Sequence, residues 1–149
     1  MTSEQRPQVL KGRRVLLVED DQWISKLYRK WLELVGAEVT IANDGALGIA
    51  ALKERTADII LLDLGMPGLN GFDTLMVLRG NEATKHIPII VLSNTTMSEN
   101  RAGFEEIKKA GVTDILRKYE VSLKEIIACV SKYFPETEHQ PHVHLTTNI

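Results

Sequence analysis

Acidic side chains follow two apolar segments of the chain, at the point where each segment ends. Glu19 and Asp20 come directly after the apolar residues 15–18, and Asp63 comes directly after residues 59–62. Carboxylates held a few ångströms apart repel one another, and a hard divalent cation such as Mg²⁺ relieves that repulsion. A carboxylate beside such a cation can attack a phosphoryl group and form an aspartyl-phosphate. These residue types therefore suit phosphoryl chemistry, provided that the fold brings them together.

Two later residues add groups of the kind that this chemistry uses. Ser93 ends a third apolar segment, and Lys118 closely follows a fourth. A serine hydroxyl and a lysine ammonium, together with Mg²⁺, can neutralise and orient the oxygens of a phosphoryl group. Asp63 stands alone at the end of its segment, so it is the predicted nucleophile. Glu19 and Asp20 form a pair that is suited to holding the metal.

The elements that must position these residues can be predicted from hydrophobic periodicity. The predicted strands cover residues 15–18, 38–42, 58–62, 89–92 and 112–116. The predicted helices cover residues 24–35, 46–54, 72–79, 98–110 and 122–134. Asp21 is predicted to cap the first helix, Asn43-Asp44-Gly45 to form a turn or cap before the second, and Ser122 to open a capping box at the fifth. This alternation predicts an α/β fold with a doubly wound parallel sheet. In the flavodoxin-like strand order 2-1-3-4-5, strands one and three are neighbours, so their carboxylates would converge.

Length and composition limit the class of protein. With 149 residues, 44% of them apolar, the chain has room for one domain with its own core. We expect a flexible leader over residues 1–12, the domain over 13–134 and a loose tail over 135–149. The net charge of -2 argues against broad binding to nucleic acid. The absence of a long apolar run or signal peptide predicts a cytoplasmic protein without a membrane span. The single cysteine, Cys129, is predicted to be a small buried residue.

The strand-end motifs described above resemble those of the response-regulator receiver domain of two-component signalling, over roughly residues 13–134. The matching pieces are residues 15–21, residues 61–71, residues 88–93, and Lys118 seven positions after Gly111. Each piece alone is a weak signal, but all of them in order, each at a strand end, are specific. The resemblance implies the (βα)5 fold with five parallel strands that the alternation also predicts.

The resemblance also implies a role for each site residue. Asp63 would be the phosphoacceptor, taking a phosphoryl group from a histidine kinase or phosphotransfer protein. Asp20 would bind Mg²⁺ directly, Glu19 would act through water, and Gly65 would supply a backbone carbonyl. Ser93 would contact a phosphate oxygen.

Lys118 would pair with the phosphate. Phosphorylation would change protein–protein contacts at the face formed by the fourth helix, the fifth strand and the fifth helix. We expect no enzymatic turnover beyond self-catalysed phosphorylation and slow autodephosphorylation. The expected partners are proteins, with no nucleic acid and no membrane, and the expected assembly is a monomer or a phosphorylation-dependent dimer.

Three positions depart from the family pattern. Tyr119 stands where a proline usually follows the lysine, so a cis bond is not expected there. Ile115 stands where many members have an aromatic switch residue, and Asn94 follows Ser93 where a small residue is common. These departures motivate an alternative, a receiver-like scaffold that binds its partners without phosphorylation.

Overall fold

The computed structural model describes residues 7–65, 71–94, 101–112 and 114–135. The strands are β1 (Arg14–Val18), β2 (Glu38–Ala42), β3 (Ile59–Asp63), β4 (Ile89–Ser93) and β5 (Asp114–Arg117). The helices are α1 (Gln22–Glu33), α2 (Gly45–Glu54), α3 (Gly71–Gly80), α4 (Arg101–Lys109) and α5 (Leu123–Ser131). None of the helices in these ranges is long and apolar enough to cross a membrane.

The five strands form one parallel sheet in the order β2-β1-β3-β4-β5. This order confirms the predicted doubly wound, flavodoxin-like fold. In the pairing register, Val18 lies opposite Leu62 and Ser93 lies opposite Arg117. The carboxyl ends of β1, β3, β4 and β5 therefore lie along one edge of the sheet, which is where such folds bind ligands.

Burial on both faces explains why the central strands read as apolar runs. All five residues of β3 and all five of β4 are buried. Alternate side chains point to opposite faces, so β1, β3 and β4 contribute to two separate cores. One core packs against α1 and α5, and the other packs against α3, α4 and part of α2. Cys129 is buried in the first core, as predicted.

The predicted helix starts agree with the capping groups that the structure contains. The Asp21 carboxylate accepts hydrogen bonds at the start of α1, and the Asp44 carboxylate does so for α2. Ser122 and Glu125 form a capping box at α5. The start predicted for the fourth helix at residue 98 lies outside the described residues.

Two helices end earlier than their apolar patterns predicted. The first was expected to reach residue 35 and the fifth residue 134, but they end at Glu33 and Ser131. Val35 and Phe134 are nevertheless buried, because the chain beyond each helix still packs on the core. Apolar periodicity reports burial, so it continues past the last hydrogen-bonded turn.

The segment before β1 packs against the domain where the structure describes it. Leu10 is fully buried, and its backbone N–H donates to the Val35 carbonyl at 2.9 Å. The Arg13 guanidinium lies 4.5 Å from the centroid of the Phe134 ring. Residues 10–13 thus have fixed contacts, although they adjoin or fall within the segment expected to be a flexible leader. Residues 1–6 of that segment and 136–149 of the expected tail lie outside the described residues.

Candidate functional site

Three carboxylates meet at the carboxyl edge of the sheet. Glu19 and Asp20 directly follow β1, and Asp63 is the last residue of the neighbouring strand β3. One oxygen from each of the three lies within 4.8 Å of the others. Glu19 and Asp63 are buried, whereas Asp20 is exposed. The fold therefore brings together the three acidic residues that the sequence singled out.

The Lys118 ammonium lies between two of these carboxylates. Its Nζ atom is 2.6 Å from Glu19 Oε1 and 2.9 Å from Asp63 Oδ2. The backbone N–H of Lys118 donates to the Ser93 carbonyl at 2.9 Å, which fixes the lysine beside the end of β4. Burial acts to lower the pKa of Lys118, but the hydrogen bonds to Glu19 and Asp63 outweigh it and hold that pKa above its usual range. Lys118 therefore stays protonated beside the carboxylates.

The surroundings of Glu19 favour the binding of a cation. Burial raises the pKa of Glu19 to about 7, although the hydrogen bond from Lys118 acts in the opposite direction. Glu19 Oε1 accepts hydrogen bonds from Lys118 and from the backbone of Asp21. Glu19 Oε2 is buried and has no hydrogen-bond partner among the described residues. Such an oxygen is costly to leave unsatisfied, and a metal ion or a metal-bound water would satisfy it.

The donor set therefore fits a hard divalent cation. Mg²⁺ takes oxygen ligands, commonly one or two carboxylates, and keeps several of its waters. The exposed Asp20 and the partly unsatisfied Glu19 face the same small volume as Asp63. The three carboxylates thus form an acidic pocket that suits such an ion.

Asp63 is held by partners on both of its oxygens. Oδ2 accepts from Lys118, and Oδ1 accepts the backbone N–H of Gly65 at 2.9 Å. Gly65, predicted to offer its carbonyl to the metal, thus contacts the aspartate through its amide. Ser93, predicted to contact the phosphate, ends β4 and is buried near this edge, while the adjoining Asn94 is exposed.

Gly71 lets helix α3 approach the backbone at the end of β3. A Cβ atom placed on Gly71 would lie 2.2 Å from the Asp63 carbonyl oxygen and 2.4 Å from Leu64 Cα. Both neighbours are backbone atoms, so they cannot move aside as a flexible side chain would. Glycine is therefore the residue that fits at the start of α3.

The sequence analysis missed a contact between Tyr119 and Asp21. The Tyr119 hydroxyl donates to Asp21 Oδ2 at 2.8 Å, across a separation of 98 residues. That hydrogen bond holds the pKa of the Asp21 carboxyl below its usual range. Tyr119 has a positive φ of 70°, and the described residues contain no cis peptide bond, as expected for this position. Its only sequence signal was the departure from proline, which does not identify a partner.

Two curated proteins are similar to this chain in sequence. The Regulator of RpoS of Escherichia coli K12 is 33% identical over 111 residues, which are 74% of this chain and 32% of that protein. The DNA-binding dual master transcriptional regulator RpaA of Synechocystis sp. PCC 6803 is 33% identical over 129 residues, which are 86% of this chain and 52% of that protein. This chain thus spans between a third and about half of the length of these relatives.

Solved structures show the same fold. The chemotaxis protein CheY4 of Vibrio cholerae superposes with a TM-score of 0.74 at 26% identity, covering 81% of this chain and 98% of CheY4. The receiver domain of a sensor histidine kinase from Pseudomonas aeruginosa PAO1 gives a TM-score of 0.70 at 27% identity, covering 82% of this chain and 97% of that domain. That structure has a magnesium ion coordinated in its active site cleft.

The family model of the response regulator receiver domain matches residues 15–131, which is most of the chain. This match covers all five strands except Arg14, the first residue of β1, and it includes the three acidic residues at their edge. With the shared sheet order and the similar sequences, it shows that the chain belongs to the response regulator receiver domain family and is a phosphoacceptor signalling module.

Proposed function

We propose that Asp63 accepts a phosphoryl group from a phosphohistidine of a histidine kinase or phosphotransfer protein. An Asp63 carboxylate oxygen attacks phosphorus, a new O–P bond forms, and the N–P bond of the donor breaks. The bonding electrons and a proton then restore the neutral imidazole of the donor. The observation that carries this proposal is the placement of Asp63 at the sheet edge, in contact with the Lys118 ammonium and close to two further carboxylates.

The residues around Asp63 would position the transferred group and neutralise its charge. The Lys118 ammonium, which already contacts Asp63 Oδ2, would bind a phosphoryl oxygen once the group is attached. The Gly65 N–H holds Asp63 Oδ1 and so fixes the orientation of the carboxylate before reaction. The Ser93 hydroxyl would contact a second phosphoryl oxygen from the end of β4.

Mg²⁺ would be held by Glu19, Asp20 and Asp63, with Asp20 as a direct ligand, Glu19 acting through water and the Gly65 carbonyl as a further ligand. When bound, the ion would offset the negative charge of the carboxylates and of the incoming phosphoryl oxygens. Support comes from the unsatisfied Glu19 Oε2 and from the magnesium ion in the related Pseudomonas aeruginosa receiver domain.

We further propose that phosphorylation alters the face formed by α4, β5 and α5 and so changes binding to other proteins. The domain would act in the cytoplasm, as a monomer or a phosphorylation-dependent dimer, without turning over an external substrate. RpaA, of which this chain covers 52%, is named as a DNA-binding regulator. For the domain itself we propose protein partners and no nucleic acid, because its net charge is slightly negative.

Incubation with a small phosphodonor and Mg²⁺ tests the proposal. Intact-protein mass spectrometry should show one added phosphoryl group, which is lost on treatment with hydroxylamine and does not form when Mg²⁺ is chelated. Asp63→Asn should abolish labelling. Asp44→Asn is the matched control, because asparagine still caps α2 and Asp44 is not one of the three clustered carboxylates, and it should label like the wild type. Equal labelling of Asp63→Asn would refute the assignment.

A further inference from the structure

We propose that Tyr119 is a positioning residue for phosphoryl transfer. Its hydrogen bond to Asp21 ties the turn after β5 to the start of α1 and so keeps the Lys118 ammonium between Glu19 and Asp63. We call this hydrogen bond the Tyr119–Asp21 clasp. The inference rests on the function proposed above, because it assigns a residue to the same site.

The clasp has a rigid anchor on α1. Asp21 Oδ1 accepts the backbone N–H groups of Trp23 at 2.9 Å and Ile24 at 3.2 Å, so this carboxylate is fixed as the helix cap. The other oxygen, Oδ2, is left for the Tyr119 hydroxyl at 2.8 Å. A charged acceptor makes this a stronger hydrogen bond than one between neutral groups. Any displacement of Tyr119 would therefore work against the first turn of α1.

The backbone around Tyr119 needs such an anchor. Tyr119 has φ 70°, in the left-handed region that a residue with a Cβ seldom occupies. It lies in a tight turn, in which the N–H groups of Glu120 and Val121 both donate to the Arg117 carbonyl. Such conformations persist where the surrounding structure holds them. Since Lys118 is the residue directly before Tyr119, a contact that fixes the turn also fixes the backbone of the lysine.

The charges of the site mean that loss of the clasp should change the phosphorylation rate and the Mg²⁺ affinity in opposite senses. The Lys118 ammonium contacts Glu19 and Asp63, two of the three carboxylates that would bind a cation. It therefore opposes the binding of Mg²⁺ while it favours the binding of phosphoryl oxygens. Loosening Lys118 should slow phosphorylation and at the same time tighten Mg²⁺ binding. A general loss of order at the site would weaken both.

Tyr119→Phe in the full chain tests this inference, because it removes the hydroxyl and keeps the ring. Tyr133→Phe is the matched control, since the Tyr133 hydroxyl also contacts an aspartate, Asp114, at the opposite end of β5. At saturating Mg²⁺ and phosphodonor, the phosphorylation rate of Tyr119→Phe should fall by about threefold to tenfold. Calorimetric titration of the unphosphorylated protein should show Mg²⁺ binding about twofold tighter or more. Tyr133→Phe should change neither quantity.

A change of rate and Mg²⁺ affinity in the same unfavourable direction, or no change in either, would overturn the clasp. Equal effects in Tyr133→Phe would do the same. If the wild type is not labelled by phosphodonor, the proposed function fails, but the Mg²⁺ titration still decides on the clasp. If Mg²⁺ does not bind either, the clasp is tested by the NMR resonance of the Lys118 ammonium in isotope-labelled protein. It should be observable in the wild type and lost to solvent exchange in Tyr119→Phe, and an unchanged resonance would refute the inference.

Discussion

Lys118 compensates the buried negative charge of the site. Glu19 and Asp63 are both buried, and the Lys118 ammonium contacts one oxygen of each. Removing one partner from a buried ionic group leaves an uncompensated charge, which costs far more than losing an exposed ion pair. The lysine therefore has a role in stability as well as the role proposed for it in phosphoryl transfer.

We expect Lys118→Met to lower the free energy of unfolding by about 3 kcal/mol, because two buried carboxylates then lack their cation. Mg²⁺ should stabilise this variant more than it stabilises the wild type, since the ion no longer competes with an ammonium. Urea unfolding with and without Mg²⁺ measures both effects. Lys132→Met is the control, because Lys132 is exposed and its ion pair with Asp114 is at the surface. A similar loss in both variants would contradict this account.

The acidic residues and the lysine could be predicted because each lies at or near the end of an apolar strand. A parallel sheet places such ends along one edge, so position in the sequence was enough to predict their convergence. The contact of Tyr119 with Asp21 could not be predicted in this way. It depends on the direction of one side chain from a turn with positive φ, and no periodicity in the sequence encodes that direction.

At the scale of elements, the strands of the sheet were easier to predict than the ends of the helices. β2 covers the residues expected for it, and the other strands agree to within one or two residues at each described end. Capping residues located the starts of α1, α2 and α5, because a cap is a local signal in the sequence. The ends of α1 and α5 were placed too late, because buried residues beyond them continue the apolar pattern.

The close approach of the start of α3 to the end of β3 couples packing to the site. Gly71→Ala should lower the free energy of unfolding by about 2 kcal/mol, because its Cβ would meet the Asp63 carbonyl and Leu64 Cα. It should also slow phosphorylation, since relief of the clash displaces the backbone of Asp63. Urea unfolding and phosphodonor labelling measure the two effects.

Gly80→Ala is the control within the same helix. A Cβ on Gly80 would have no heavy atom within 4 Å, and alanine favours the helix. This variant should be as stable as the wild type or slightly more stable, and it should be phosphorylated at the same rate. If Gly71→Ala behaved in the same way, the close approach of α3 to Asp63 would have no consequence.

At the scale of the whole molecule, the sheet separates two cores and leaves one edge for chemistry. The first core includes Leu10 from the segment before β1 as well as residues of α1 and α5. The sequence did not predict this, because residues 8–12 form no periodic pattern, and two apolar residues, Val9 and Leu10, in an otherwise polar segment are a weak signal. The domain thus owes part of its core to a residue outside every helix and strand.

We expect Leu10→Ala to lower the free energy of unfolding by about 3 kcal/mol, because it removes a fully buried side chain and leaves a cavity. Urea unfolding measures the loss. Leu47→Ala is the matched control, since Leu47 is 52% exposed and its truncation should cost well under half as much. Equal losses would mean that residues 8–12 do not pack as described.

The contact of Arg13 with Phe134 has a practical consequence for engineering the domain. The two residues meet beside the amino-terminal end of β1, and the six residue steps from Arg13 to Glu19 along that strand place them about 20 Å from Glu19. A linker that closes the backbone into a ring should therefore run from position 134 to a residue before Leu10, because Leu10 belongs to the first core, and a circular permutant opened at a surface loop would then keep its phosphate-accepting edge intact. A fluorescent label attached at the exposed Lys11, two residues before Arg13, would likewise leave the approach of a phosphodonor unobstructed.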